Sequence, residues 1–150
     1  MSSGGRGIAA ALALALGFGC AEAPILVVDV PLLVTNTYPA NGATLARSDL
    51  GELAISFSAD LGEPTDARAL ARDYLEFGPE GGDPLPFVRA DLTNVAYDAR
   101  SFTLRILLDD SVRRKVDAGP HVLRVGEGLE AADGRPLPAA LEFRFVVARR

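Results

Sequence analysis

A two-residue hydrophobic period recurs along most of this chain, and it restricts the fold more than any other feature. Leu53, Ile55 and Phe57 alternate with Ala54, Ser56 and Ser58. Leu75 and Phe77 flank Glu76, and Val95 and Tyr97 flank Ala96. Phe102, Leu104 and Ile106 alternate with Thr103, Arg105 and Leu107, and Leu123 and Val125 flank Arg124. Leu141, Phe143, Phe145 and Val147 alternate with Glu142, Arg144 and Val146. A strand turns successive side chains to opposite faces, so each run has one dry and one wet face, as antiparallel sheets do.

Turn residues separate these runs at Pro39-Ala40-Asn41-Gly42, Gly81-Gly82-Asp83-Pro84, Asp98-Ala99-Arg100-Ser101 and Ala132-Asp133-Gly134-Arg135. About seven strands at such intervals predict an all-β antiparallel sandwich rather than a barrel. Phe57 and Phe143 are expected to be buried on opposing sheets. Two stretches break the pattern. Pro64 to Asp73 holds good helix formers behind a cap at Thr65 or Asp66, which predicts a short helix near 65–73. Ser111 to Asp117 predicts one helical turn before Gly119-Pro120.

The N-terminus carries a different signal. Arg6 is the only charged side chain before Glu22, and Ile8 to Leu16 is an unbroken run of nine apolar residues. A membrane span needs about 20 such residues, whereas the core of a secretory signal needs about 7 to 15. Glu22, Pro24, Asp29 and Pro31 stop the run from continuing as a span. Cys20 follows in Leu16-Gly17-Phe18-Gly19-Cys20. This arrangement resembles the lipobox of bacterial lipoproteins, with Gly17 where that family prefers Leu. The resemblance implies a signal peptide over 1–19, acylation of Cys20, and a tether over 20–33 leading into a folded domain over 34–148. Two rival readings are cleavage after Gly19 and cleavage after Ala21-Glu22-Ala23, either of which gives a secreted or periplasmic protein. Ala21 and Glu22 follow the cysteine, without the Asp that retains such lipoproteins in the inner membrane. The expected location is therefore the cell envelope, lipid-anchored in the outer membrane.

Thr37-Tyr38-Pro39-Ala40-Asn41-Gly42-Ala43-Thr44 and Ile55-Ser56-Phe57-Ser58 carry a second likeness. It continues through His121-Val122-Leu123-Arg124-Val125, Ala132-Asp133-Gly134-Arg135-Pro136-Leu137 and Leu141-Glu142-Phe143-Arg144-Phe145. In this order the motifs resemble the bacterial Ig-like domains of the S-layer SbsA type. The resemblance spans roughly residues 34 to 147. It implies an Ig-like β-sandwich, secreted or surface-exposed, often repeated and without an activity of its own. His121 stands where that family has Tyr.

The chemical inventory is short. Twenty acidic against fifteen basic residues give a net charge of −5, which argues against a nucleic-acid partner. One cysteine and one histidine supply neither an internal disulfide nor a zinc set. His121 shares a strand face with Leu123 and Val125 and reads as a core histidine. A catalytic role needs a nucleophile and an orienting acid in reach, and neither Ser101 nor Ser111 is fixed there by the sequence. Carboxylates gather at Asp60, Glu63 and Asp66, at Asp109 and Asp110, and at Glu127, Glu130 and Asp133. None of these runs is a known calcium loop, and solvated loop charge is the simpler reading. Gly126-Glu127-Gly128 lacks the helix and Lys-Ser/Thr of a phosphate loop. Arg113-Arg114-Lys115 is a basic patch on an acidic chain, read as a solvated surface, or as a contact for lipid headgroups. Tyr38, Tyr74 and Phe18 are aromatics outside the strand pattern, a meagre platform for a glycan. The expectation is a non-catalytic module with no catalytic residues, cofactor or metal, an envelope protein as partner, and Cys20 as its modified residue. The alternative is a small-ligand, glycan-binding or calcium-binding module on the same scaffold.

Overall fold

The computed structural model describes residues 30–62, 66–85 and 94–149. The expected signal segment with Cys20, the residues Glu63 to Thr65 and the stretch 86–93 lie outside the described residues. Among the described residues, eight strands form two sheets of four. The first sheet runs β1 (Val34–Tyr38), β3 (Glu52–Phe57), β6 (Thr103–Leu107) and β5 (Val95–Asp98) in spatial order. The second runs β2 (Thr44–Ala46), β8 (Leu141–Ala148), β7 (Gly119–Val125) and β4 (Leu75–Pro79). The all-β sandwich read from the sequence is the observed fold.

The alternation decides which face is dry. In β3, Leu53, Ile55 and Phe57 are buried while the residues between them are half-buried. From the second sheet Phe77, Leu123, Val125, Phe145 and Val147 meet them in one core. Glu76, Arg124 and Glu142 lie on the other face, where Arg124 bridges its two cross-strand neighbours. Its guanidinium is 2.8 Å from Glu142 and 3.8 Å from Glu76.

Four details differ from the sequence reading. The eighth strand, β2, was hidden in the tail of the Pro39–Gly42 turn. It pairs parallel with β8, whereas every other strand pair described is antiparallel. The turn carries the chain from one sheet to the other, and Asn41 and Gly42 fasten it to Arg144. The Arg144 N–H donates to Asn41 Oδ1 at 2.8 Å, and the Gly42 N–H donates to the Arg144 carbonyl at 2.6 Å. Second, packing begins before residue 34. Leu32, placed by sequence in the tether, is fully buried, and its N–H donates to the Pro136 carbonyl. Third, Phe57 and Phe143 do stand on opposing sheets, but only Phe57 is buried. Phe143 is half-buried and lines a groove beside β1. Fourth, the helix α1 spans Ala67–Tyr74: it starts two residues later than the expected 65–73 because Asp66 is its cap and accepts from the Arg68 N–H, and it ends one residue later.

The next described helix, α2 (Asp110–Arg113), is a single turn that starts one residue before the expected Ser111 to Asp117 and ends four residues before it, opened by Asp109 accepting from the Val112 N–H at 2.9 Å.

Candidate functional site

The only histidine proves to be part of the core. His121 is 2% exposed. Its ring centroid lies 5.5 Å from that of Phe77 and 6.0 Å from that of Phe145, and the two phenylalanines stack at 5.9 Å. Nδ1 is 3.0 Å from the Gly119 carbonyl, which fits a ring that is a proton donor on that side. The imidazole thus fills an aromatic slot between sheet neighbours.

The serines are committed elsewhere. Ser101 Oγ donates to Asp98 Oδ2 at 2.8 Å within the β5–β6 turn. Ser111 Oγ donates to Asp109 Oδ1 at 2.6 Å in the α2 cap. Both bonds hold their aspartates below the usual carboxylate range, the serine hydroxyl being the largest cause in each case. The described residues bring neither serine into a hydrogen bond with His121.

Five of the seven described carboxylates in the three acidic runs are spent on local structure. Asp60 accepts from the Tyr97 hydroxyl at 2.7 Å and from the Gly62 N–H at 3.0 Å. Asp66 caps α1, Asp109 caps α2, and Asp110 pairs with Arg113. Asp133 is paired with Arg135, which lowers its pKa. Glu63 lies outside the described residues, so the Asp60–Asp66 run is seen only in part. Gly126 and Gly128 form the turn after β7, where the Gly126 N–H donates to the Tyr74 carbonyl at 2.6 Å. Tyr74 packs against the core. Tyr38 is exposed, and its hydroxyl donates to the Asp49 carbonyl at 2.8 Å.

The basic run has a setting that the sequence did not reveal. Glu52 pairs with Leu107, so the start of β3 and the end of β6 meet at one end of the sandwich. A 3₁₀ turn over Arg47–Asp49 leads into β3, and α2 follows β6. They flank an open, shallow cleft of about 240 Å³ lined by Arg47, Ser48, Asp110, Arg113 and Arg114. Arg113 Nη1 donates to the Ser48 carbonyl at 2.9 Å and its other Nη pairs with Asp110. Arg47 Nε is buried and has no hydrogen-bond partner. Arg47 and Ser48 were missed in the sequence because they stand far from Arg113 along the chain. Only the β3–β6 pairing brings them together, and no local signal marks it.

The architecture and burial pattern define an Ig-like β-sandwich. The chain is similar in fold to a segment of a cryo-EM structure of E. coli alpha-2-macroglobulin in its native conformation. The match has a TM-score of 0.50 at 10% identity, and covers 80% of this chain and 6% of that one. The likeness is one of fold alone. No family model matches the chain, and no curated protein matches it.

Proposed function

We propose that this chain is a non-catalytic Ig-like module of the SbsA type, held at the bacterial cell envelope by acyl chains on Cys20, where it makes structural or protein–protein contacts. The anchoring half of this reading is supported by the nine-residue apolar run from Ile8 to Leu16 and by Gly19 directly before Cys20. Two or three acyl chains give stable attachment where one gives only marginal binding. The residues after Cys20 favour the outer membrane.

One observation supports the non-catalytic half: among the described residues, His121, Ser101 and Ser111 are already engaged. His121 is packed between Phe77 and Phe145, and Ser101 and Ser111 donate to aspartates of a turn and a cap. General acid–base or nucleophilic catalysis needs such groups free and facing one another.

Crosslinking in intact envelopes, followed by membrane fractionation, tests the reading. The native chain should sediment with membranes and give adducts of discrete mass, and Cys20→Ser should lose both. A membrane-bound chain without any discrete adduct would refute the contact role. The other reading, a ligand-binding module on the same scaffold, is favoured by the arginine-lined cleft.

A further inference from the structure

We infer that the cleft at the β3–β6 end of the sandwich is a binding site for a phosphate monoester group, held by Arg47 and Arg114 with Arg113 as a fixed wall. This goes beyond the anchoring and contact role and stands without it.

Charge supplies the first argument. Three guanidinium groups and one carboxylate line the cleft, a cluster of positive charge on a chain whose net charge is −5, with the Asp109 carboxylate acting on Arg114 from the α2 cap. A phosphate monoester carries about −1.5 to −2 at pH 7 and offers several oxygens to such a cluster.

Hydrogen bonding supplies the second. Arg113 is tied down by the Ser48 carbonyl and by Asp110, so its position is set before any ligand arrives. Arg47 Nε–H is buried without an acceptor. An unpaired buried donor carries a desolvation penalty, which an oxyanion acceptor reaching it would remove. Guanidinium groups suit this task because their planar forks meet phosphate oxygens two at a time.

Position supplies the third. The chain enters the fold at the far end of β3, where the Ser58 N–H donates to the Leu33 carbonyl. The six residues of β3 span about 20 Å. The cleft therefore opens at the end of the sandwich opposite the point where Leu33 enters it. The phosphate can belong to a soluble ester or to a phospholipid headgroup, and the experiment separates the two.

The Nε–H resonances of arginine in the full chain, isotope-labelled and held in detergent micelles, report directly on the site. Inorganic phosphate at millimolar concentration should shift the Arg47 and Arg114 signals saturably, and equal ionic strength of chloride should not. Arg114→Gln should weaken phosphate binding about tenfold, the equivalent of one charge-assisted hydrogen bond. Arg47→Gln should do the same, and if that variant fails to fold, Arg114→Gln decides alone. Arg114→Lys should restore part of the affinity. Phosphatidic acid vesicles that reproduce the shift, where phosphatidylcholine vesicles do not, assign the site to phosphate groups that include lipid headgroups. A response to phosphate alone assigns it to soluble esters. No saturable shift with phosphate, an equal shift with chloride, or unchanged affinity in Arg114→Gln would overturn the inference.

Discussion

The Tyr97 hydroxyl donates to Asp60 Oδ1 at 2.7 Å while accepting from the Leu61 N–H at 2.8 Å. One phenol thus joins the edge strand β5 to the segment that follows β3. Tyr97→Phe removes a charge-assisted bond and strips the Leu61 N–H of its partner. The expected cost is about 1–2 kcal/mol, read as a fall in the urea midpoint with an unchanged slope. An unchanged midpoint would mean that water replaces the phenol without loss.

The same pair predicts an alkaline limb. Burial, and then the Asp60 carboxylate, push the Tyr97 hydroxyl up to about 12, against about 10 in an unfolded chain. Between these values the folded state keeps a proton that the unfolded state has lost. Stability is therefore intact below about pH 10 and falls as the pH rises towards 12. Melting curves across that range should show the fall in the native chain and a shallower one in Tyr97→Phe.

At the acid end the sign is reversed. Asp98 and Asp109, through serine hydroxyls, Asp133, through Arg135, and Glu142, through Arg124, are all held below their ordinary range. Their contribution is present above the ordinary carboxylate range and is lost as the pH falls through the depressed values. Asp109→Asn should flatten this acid limb, and a limb of unchanged steepness would exclude the α2 cap as a contributor.

Truncating the two phenylalanines should separate them. Phe57 is 3% exposed in the core, and Phe57→Ala should cost about 3–5 kcal/mol. Phe143 is half-buried at a groove, so Phe143→Ala should cost clearly less. Equal losses in denaturant titrations would contradict the burial difference between them.

Gly78 offers a test of close backbone packing. A Cβ there would sit 2.9 Å from the Asp83 carbonyl oxygen and 3.0 Å from the Pro84 Cα. Gly78→Ala must displace that loop, at a cost of about 1–3 kcal/mol. Hydrogen exchange should locate the damage at the Leu85 N–H, which donates to the Phe77 carbonyl at 2.8 Å.

How far the sequence could be read follows from the range of each signal. Period-two alternation is local, so the inward faces of β3, β5 and β8 were legible, and Leu123, Val125 and His121 were correctly placed inside β7. The three residues of β2 are too few to show a period. Leu32 sits between Pro31 and Leu33, where no alternation distinguishes a core anchor from a tether. The arginine cleft was half legible, since Arg113 and Arg114 formed a visible run. Arg47 joins them only through strand pairing, which a local pattern does not encode.

The change of sheet between β1 and β2 has a mechanical side. Strand β2 lies along β8 in the same direction, with the Val146 N–H donating to the Ala43 carbonyl at 2.8 Å. Tension drawn between the first described residues and Arg149 pulls β2 backwards and β8 forwards along a common line. The contact is sheared rather than peeled, so its bonds share the force at once instead of yielding in turn. A module pulled from its N-terminal side would load β1 and its bonds to β3 first and then resist in shear at this seam.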